Sequence, residues 1–121
     1  MSVKDADGHK LSLHPERVAE WIKKGTCFPL HAEIGLTNKC NHSCSYCALE
    51  WTRLGADTLD YRVLLKCVHN MFQNGVKSVY FAGEGEPTLH PYFEGIIQAT
   101  NNVGMKVAVS TNGSKYNYDM A

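Results

Sequence analysis

The stretch from Asn38 to Trp51, NKCNHSCSYCALEW, sets Cys40, Cys44 and Cys47 within eight residues. Thiolates at a C-x3-C-x2-C spacing are ligands for zinc or for the iron of iron–sulfur clusters. Structural zinc sites close a tetrahedron, usually with paired C-x2-C units or with two cysteines and two histidines. This trio has no second pair. His42 lies inside the loop, but ligands so close together on a short loop crowd one another. A cubane of four irons with three protein ligands leaves one iron open to a substrate or cofactor, so the missing fourth ligand is itself a functional position. On the residues alone, three readings stand: an open cluster, a closed electron-carrying cluster with a remote ligand, and a zinc-binding structural module.

The remaining cysteines do not change this. Cys27 has no partner at motif spacing, and Cys67 falls on the apolar face of an expected helix, where it reads as core. Five cysteines, three of them clustered, do not form a disulfide framework; in a reducing compartment such a cluster binds metal. The opening MSVKDADGHK is polar with no apolar h-region after it, and no apolar run reaches the length of a membrane span. The cytosol is the expected compartment, with no membrane partner. Twelve basic residues balance twelve acidic ones, which leaves no electrostatic footprint for nucleic acid.

The elements that must carry the cysteine loop are legible from periodicity. LHPERVAEWIKKG, Leu13–Gly25, predicts a helix with His14 as N-cap, Pro15 at the first position, a Leu13–Val18 staple and Gly25 as its stop. Val18, Trp21 and Ile22 make its apolar face, and Trp21 reads as packing. HAEIGLT, His31–Thr37, is a strand that runs directly into the cysteines. Asp57 is the expected cap of the next helix, with Leu64, Cys67, Val68, Met71 and Phe72 on its inner side and Asn74–Gly75 closing it. VKSVYF, Val76–Phe81, is a second strand. A third helix is expected to begin at His90–Pro91, with Tyr92, Phe93, Ile96, Ile97 and Thr100 facing inward. KVAVS, Lys106–Ser110, is a third strand.

Strands alternating with helices imply an α/β fold with parallel pairing. Three short stretches then share one address. Cys40–Cys47 follows the first strand, Gly83–Pro87 the second and Thr111–Gly113 the third. In a parallel α/β sheet these are the carboxyl ends of strands, where such folds bind ligands. The composition, 44% hydrophobic and 20% charged, is that of a globular protein. The expected domains are an N-terminal helical extension over 1–27 and a core over 28–121. Three strands with helices on one side leave an open edge and face, so the core is expected to be the front part of a longer β/α barrel.

CNHSCSYC resembles the CxxxCxxC signature of the radical S-adenosylmethionine (radical SAM) superfamily, in which an aromatic residue often precedes the third cysteine, as Tyr46 does here. AGEGEP is similar to the family's GGE-type motif in a GxGEP variant, and STNG to segments that end its third strand. The resemblance covers roughly Phe28 to Ser114. It implies a partial TIM-like barrel with about three βα units present. It implies that Cys40, Cys44 and Cys47 hold a 4Fe-4S cluster whose open iron takes the amino and carboxylate groups of SAM. It further implies that Tyr46 lies near the adenine, that Gly83, Gly85 and Glu86 contact the SAM amino group, and that Thr111 and Asn112 line its site. Trp51 reads as a shield for the cluster or as packing.

The same resemblance implies reductive cleavage of SAM to a 5′-deoxyadenosyl radical that abstracts hydrogen from a substrate. A low-potential electron donor, a flavodoxin or ferredoxin, is the implied partner. The substrate is not readable, although GEGEPTLHP is similar to branches that act on peptides.

Overall fold

The computed structural model describes residues 10–49 and 55–115; Trp51 and the end of the chain after Lys115 lie outside them. Within them the chain runs α1 (Pro15–Lys24), β1 (His31–Ile34), α2 (Tyr61–Gln73), β2 (Ser78–Phe81), α3 (Phe93–Asn102) and β3 (Lys106–Val109), with short 3-10 turns at Leu11–Leu13 and Pro87–Leu89. The strands form one parallel sheet in the order β1-β2-β3. His31, Ser78 and Lys106 share a row, as do Ile34, Phe81 and Val109.

Alternation along the strands gives the sheet two unlike faces. Val79 and Phe81 of the central strand are fully buried beneath the helices. With Leu36, Leu64, Val68, Val76, Ile96 and Met105 they form a single core cluster. α2 and α3 pack side by side over it, as their apolar periodicity predicts. The other face carries His31, Glu33, Ser78, Tyr80, Lys106 and Ala108, exposed or half-buried. This is half of a two-faced β/α arrangement, consistent with the expected partial barrel.

Several element boundaries differ from expectation for physical reasons. α2 is capped by Asp60, whose Oδ1 accepts from the backbone N–H groups of Arg62 at 2.9 Å and Val63 at 3.0 Å. Asp57 cannot serve, because its segment returns to pair with the end of β1. Asp57 C=O accepts from Asn38 N–H at 3.1 Å and from Thr37 Oγ1 at 2.6 Å, and Leu59 N–H donates to Leu36 C=O at 3.0 Å. Only after this bridge is the chain free to coil. α3 likewise starts at Phe93 rather than at His90–Pro91. His90 is buried instead: Nδ1 accepts from Tyr92 N–H at 3.1 Å, leaving Nε2 to donate to Leu59 C=O at 2.9 Å.

Five apolar assignments also shift, one of them Phe72, which is 40% exposed near the end of α2 rather than turned inward. Cys67 is exposed on α2 rather than core. Tyr92, 58% exposed, stacks on Tyr61 with ring centroids 4.8 Å apart. On α1, Trp21 is 58% and Ile22 74% exposed. That helix is attached by a charge: Arg17 Nη2 reaches Gly75 C=O at 3.1 Å and Asn74 C=O at 3.4 Å.

Candidate functional site

The three rim segments come together as their strand ends require. Pairing persists one residue past the strands, with Ala82 N–H on Ile34 C=O at 3.2 Å and Ser110 N–H on Phe81 C=O at 3.0 Å. All three segments therefore leave the sheet at one level. The cysteine loop leaves after Thr37 and is cinched at its base by the Thr37–Thr58 bridge. The two threonine hydroxyls meet at 3.0 Å, and Lys39 N–H donates to Thr37 Oγ1 at 3.1 Å.

Glycine lets the second segment approach the first. A Cβ at Gly85 would strike the backbone carbonyl oxygens of Lys39 and Thr37 and lie 2.8 Å from the carbonyl carbon of Asn38. This closeness lets Glu86 N–H donate to Lys39 C=O at 2.7 Å, one residue before Cys40. Gly83 sits at φ 128°, a conformation that L side chains rarely adopt, and its Cβ would lie 3.1 Å from Gly35 Cα.

Glu86 is the hub of the rim. It is only 2% exposed. Its Oε1 accepts from Thr88 N–H at 3.1 Å, Thr88 Oγ1 at 2.7 Å and Thr111 Oγ1 at 2.6 Å. Its Oε2 accepts from Asn112 N–H at 2.6 Å. Burial pushes the carboxyl pKa up, but the donors from Asn112, Thr111 and Thr88 outweigh it and hold the group below the usual glutamate value. The charged carboxylate thus ties the second rim segment to the third.

Asn112 extends this connection to the cysteines. Its Nδ2 donates to Asn41 Oδ1 at 2.8 Å, and Asn41 Nδ2 donates to Ser114 Oγ at 2.8 Å. Ser114 N–H in turn donates to Asn112 Oδ1 at 2.9 Å. Gly113 N–H caps Thr111 Oγ1 at 3.0 Å.

Cys40, Cys44 and Cys47 are each half-buried. Cys47 N–H donates to Cys44 C=O at 2.9 Å, closing a turn between the second and third cysteines. His42 N–H points at Cys40 Sγ at 3.4 Å, a contact that suits a sulfur carrying negative charge. Among the described residues no three His, Cys, Asp or Glu side chains are gathered closely enough to hold a metal ion. By donor chemistry the loop fits an iron–sulfur cluster: three thiols, one of them already facing an N–H donor. Tyr46, 88% exposed beside Cys47, presents a whole ring face to solvent. Beneath the loop, a cavity of about 430 Å³ is lined by Gly35, Asn38, Asp57, Gly83 and Glu84 among others; a buried Asn38 Oδ1 has no hydrogen-bond partner.

All the rim residues singled out from the sequence thus lie on the three neighbouring segments, with Glu86, Thr111 and Asn112 in direct contact. Sequence reasoning missed Thr88, Asn41 and Ser114. The first has a local signal, a hydroxyl two residues after an acid. Asn41 has none, since its partners lie more than seventy positions away.

A parallel β/α sheet with a cysteine loop at its carboxyl rim defines a class of iron–sulfur protein, and the comparisons specify it. Residues 34–121 match the radical SAM superfamily, and the chain belongs to that family. It is 36% identical over 86 residues to the antilisterial bacteriocin subtilosin biosynthesis protein AlbA of Bacillus subtilis, covering 71% of this chain and 19% of that protein. It is 30% identical over 82 residues to the tungsten-containing aldehyde ferredoxin oxidoreductase cofactor-modifying protein of Pyrococcus furiosus, covering 67% of this chain and 23% of that protein. The chain therefore spans about a fifth to a quarter of these relatives. Streptococcus suis SuiB bound to S-adenosylmethionine superposes with a TM-score of 0.67 at 22% identity, over 91% of this chain and 26% of that one. The family uses a 4Fe-4S cluster and SAM, and the fold is that of its barrels.

Proposed function

We propose that this chain forms the cofactor-binding part of a radical SAM enzyme. The observation that carries the reading is the convergence of the CxxxCxxC loop, the GEGEP turn and the TNGS segment on one rim, joined through Glu86. Cys40, Cys44 and Cys47 would hold three irons of a 4Fe-4S cluster and leave the fourth for the amino and carboxylate groups of SAM. When bound and reduced, the cluster supplies the electron that cleaves SAM to methionine and a 5′-deoxyadenosyl radical, which takes a hydrogen atom from the substrate.

The chain's own residues bind and orient. Gly83 and Gly85 remove side chains where the backbone must come close. Glu86 Oε2 accepts one donor and has capacity for a second, which suits an N–H of the SAM amino group. Thr111 and Asn112 shape the wall through their bonds to Glu86, and Tyr46 offers its free face to the adenine. A low-potential donor, a flavodoxin or ferredoxin, supplies the electron. The two relatives' names point to different substrates; a peptide is the first class to assay. Among the described residues no helix is long and apolar enough to cross a membrane.

The test is electron paramagnetic resonance of the anaerobically reconstituted, reduced chain with and without SAM. A 4Fe-4S signal that changes shape on adding SAM is the expected result. A signal indifferent to SAM, or zinc in place of iron, would remove the reading in favour of an electron carrier or a structural zinc module.

A further inference from the structure

Cys40 is held from both sides. Before it, Lys39 C=O receives Glu86 N–H at 2.7 Å. After it, Asn41 uses both ends of its amide: Oδ1 accepts from Asn112 Nδ2 at 2.8 Å, and Nδ2 donates to Ser114 Oγ at 2.8 Å. Ser114 N–H closes the ring on Asn112 Oδ1 at 2.9 Å. Asn112 is itself fixed through its backbone N–H by the buried Glu86 carboxylate. An unbroken hydrogen-bonded path therefore runs from the interior of the rim to the residue beside the first cysteine.

Only a side chain that both donates and accepts at this reach can complete the ring as drawn. Alanine forfeits both bonds. Leucine or lysine would leave Asn112 Nδ2 without its acceptor. The partners also explain the Asn112–Gly113–Ser114 order: Asn112 Oδ1 caps Ser114 N–H, which turns the Ser114 hydroxyl toward the cysteine loop.

We infer that Asn41 is a positioning residue that clasps the Cys40 end of the cysteine loop to Asn112 and Ser114, and so sets how firmly the loop retains its cluster. The inference rests on the proposed cofactor reading. Of the three cysteines, Cys40 would then be the one held by the rim, while Cys44 and Cys47 share a turn of their own. Each lost bond loosens the anchor without touching the core, because Asn41 and Ser114 are exposed.

The experiment compares wild type, Asn41→Ala, Ser114→Ala, the double variant and the control Asn102→Ala, which alters an exposed residue at the end of α3. Each chain is reconstituted with iron and sulfide, and the rate at which an iron chelator bleaches the cluster is recorded. In parallel, alkylation of Cys40 relative to Cys44 and Cys47 is followed by mass spectrometry on the metal-free chain, and urea midpoints report global stability. Asn41→Ala is expected to lose iron about tenfold faster, as two neutral hydrogen bonds imply. Its Cys40 should alkylate faster while the urea midpoint stays in place. Ser114→Ala should show a smaller effect, and the double variant no more than Asn41→Ala. A wild-type chain that loads a cluster, with Asn41→Ala indistinguishable from it, would overturn the inference alone. An equal effect of Asn102→Ala would overturn it as general destabilisation. A wild type that takes up no cluster would overturn the cofactor reading and the inference together.

Discussion

Glu86 is a buried carboxylate whose charge is retained because every donor around it points inward. Replacing it with glutamine puts an amide –NH2 where an oxygen now accepts, and turns at least one bond into a donor–donor contact. Charge-assisted hydrogen bonds contribute about 1.5–3 kcal/mol each, so Glu86→Gln should lower the unfolding free energy at pH 7 by about 2–3 kcal/mol, read from urea titrations. The pH dependence has a definite sign. The folded pKa lies below the ordinary glutamate value, so this stabilisation is complete above the unfolded pKa of about 4.3 and is lost as pH falls through the lower folded value. The acid limb of the stability curve should be shallower in Glu86→Gln; an unchanged limb would mean that the carboxylate titrates alike in both states. Gly85 gives a second test at this scale. A methyl there meets backbone oxygens of Thr37 and Lys39, which cannot rotate away, so Gly85→Ala should cost about 1–3 kcal/mol. It should also separate the GEGEP turn from the cysteine loop, seen as impaired iron loading.

At the scale of elements, the start of α2 distinguishes two aspartates that look alike in the sequence. Asp60→Ala removes the acceptor for two helix N–H groups and should cost about 1 kcal/mol. Asp57→Ala should cost far less in thermal unfolding, because Asp57 acts through its backbone carbonyl and its side chain reaches Asn38 only at 3.5 Å. A larger loss in Asp57→Ala would show that the cap had been assigned to the wrong residue. The same pair shows why the sequence is readable in parts. Strand and helix order, the buried set Leu64, Val68, Ile96 and Thr100, and the shared rim all follow from periodicity and from motif position after each strand. The start of α1 at Pro15 follows too, but the starts of α2 and α3 do not, because they depend on where the chain is released from long-range pairing: Leu59 with Leu36, and His90 with Leu59. The site residues are legible by type, but their partners are not. Glu86 reads as an acid in a turn, and nothing local says that Thr111 and Asn112 will come to meet it.

At the scale of the whole molecule, α1 is attached differently from everything else. It buries no residue, and its ten residues are fewer than an isolated helix needs to persist in water. Its tie to the body is Arg17, whose side chain is only 14% exposed and whose Nη2 meets the carbonyls of Asn74 and Gly75 just past the C-terminus of α2. These oxygens lie next to the C-terminus of α2, the partly negative end of its dipole, so a guanidinium suits them. Arg17→Ala should release α1 without unfolding the sheet. Backbone amides over 16–24 should exchange about tenfold faster or more, while those of α2 and β2 keep their protection. Arg17→Lys should fall between, since an ammonium keeps the charge but not the planar fork. If protection were instead lost together across α1, α2 and β2, α1 would be part of the cooperative core. If neither variant changed exchange over 16–24, the packing of the half-buried Val18, rather than Arg17, would be what holds the helix in place.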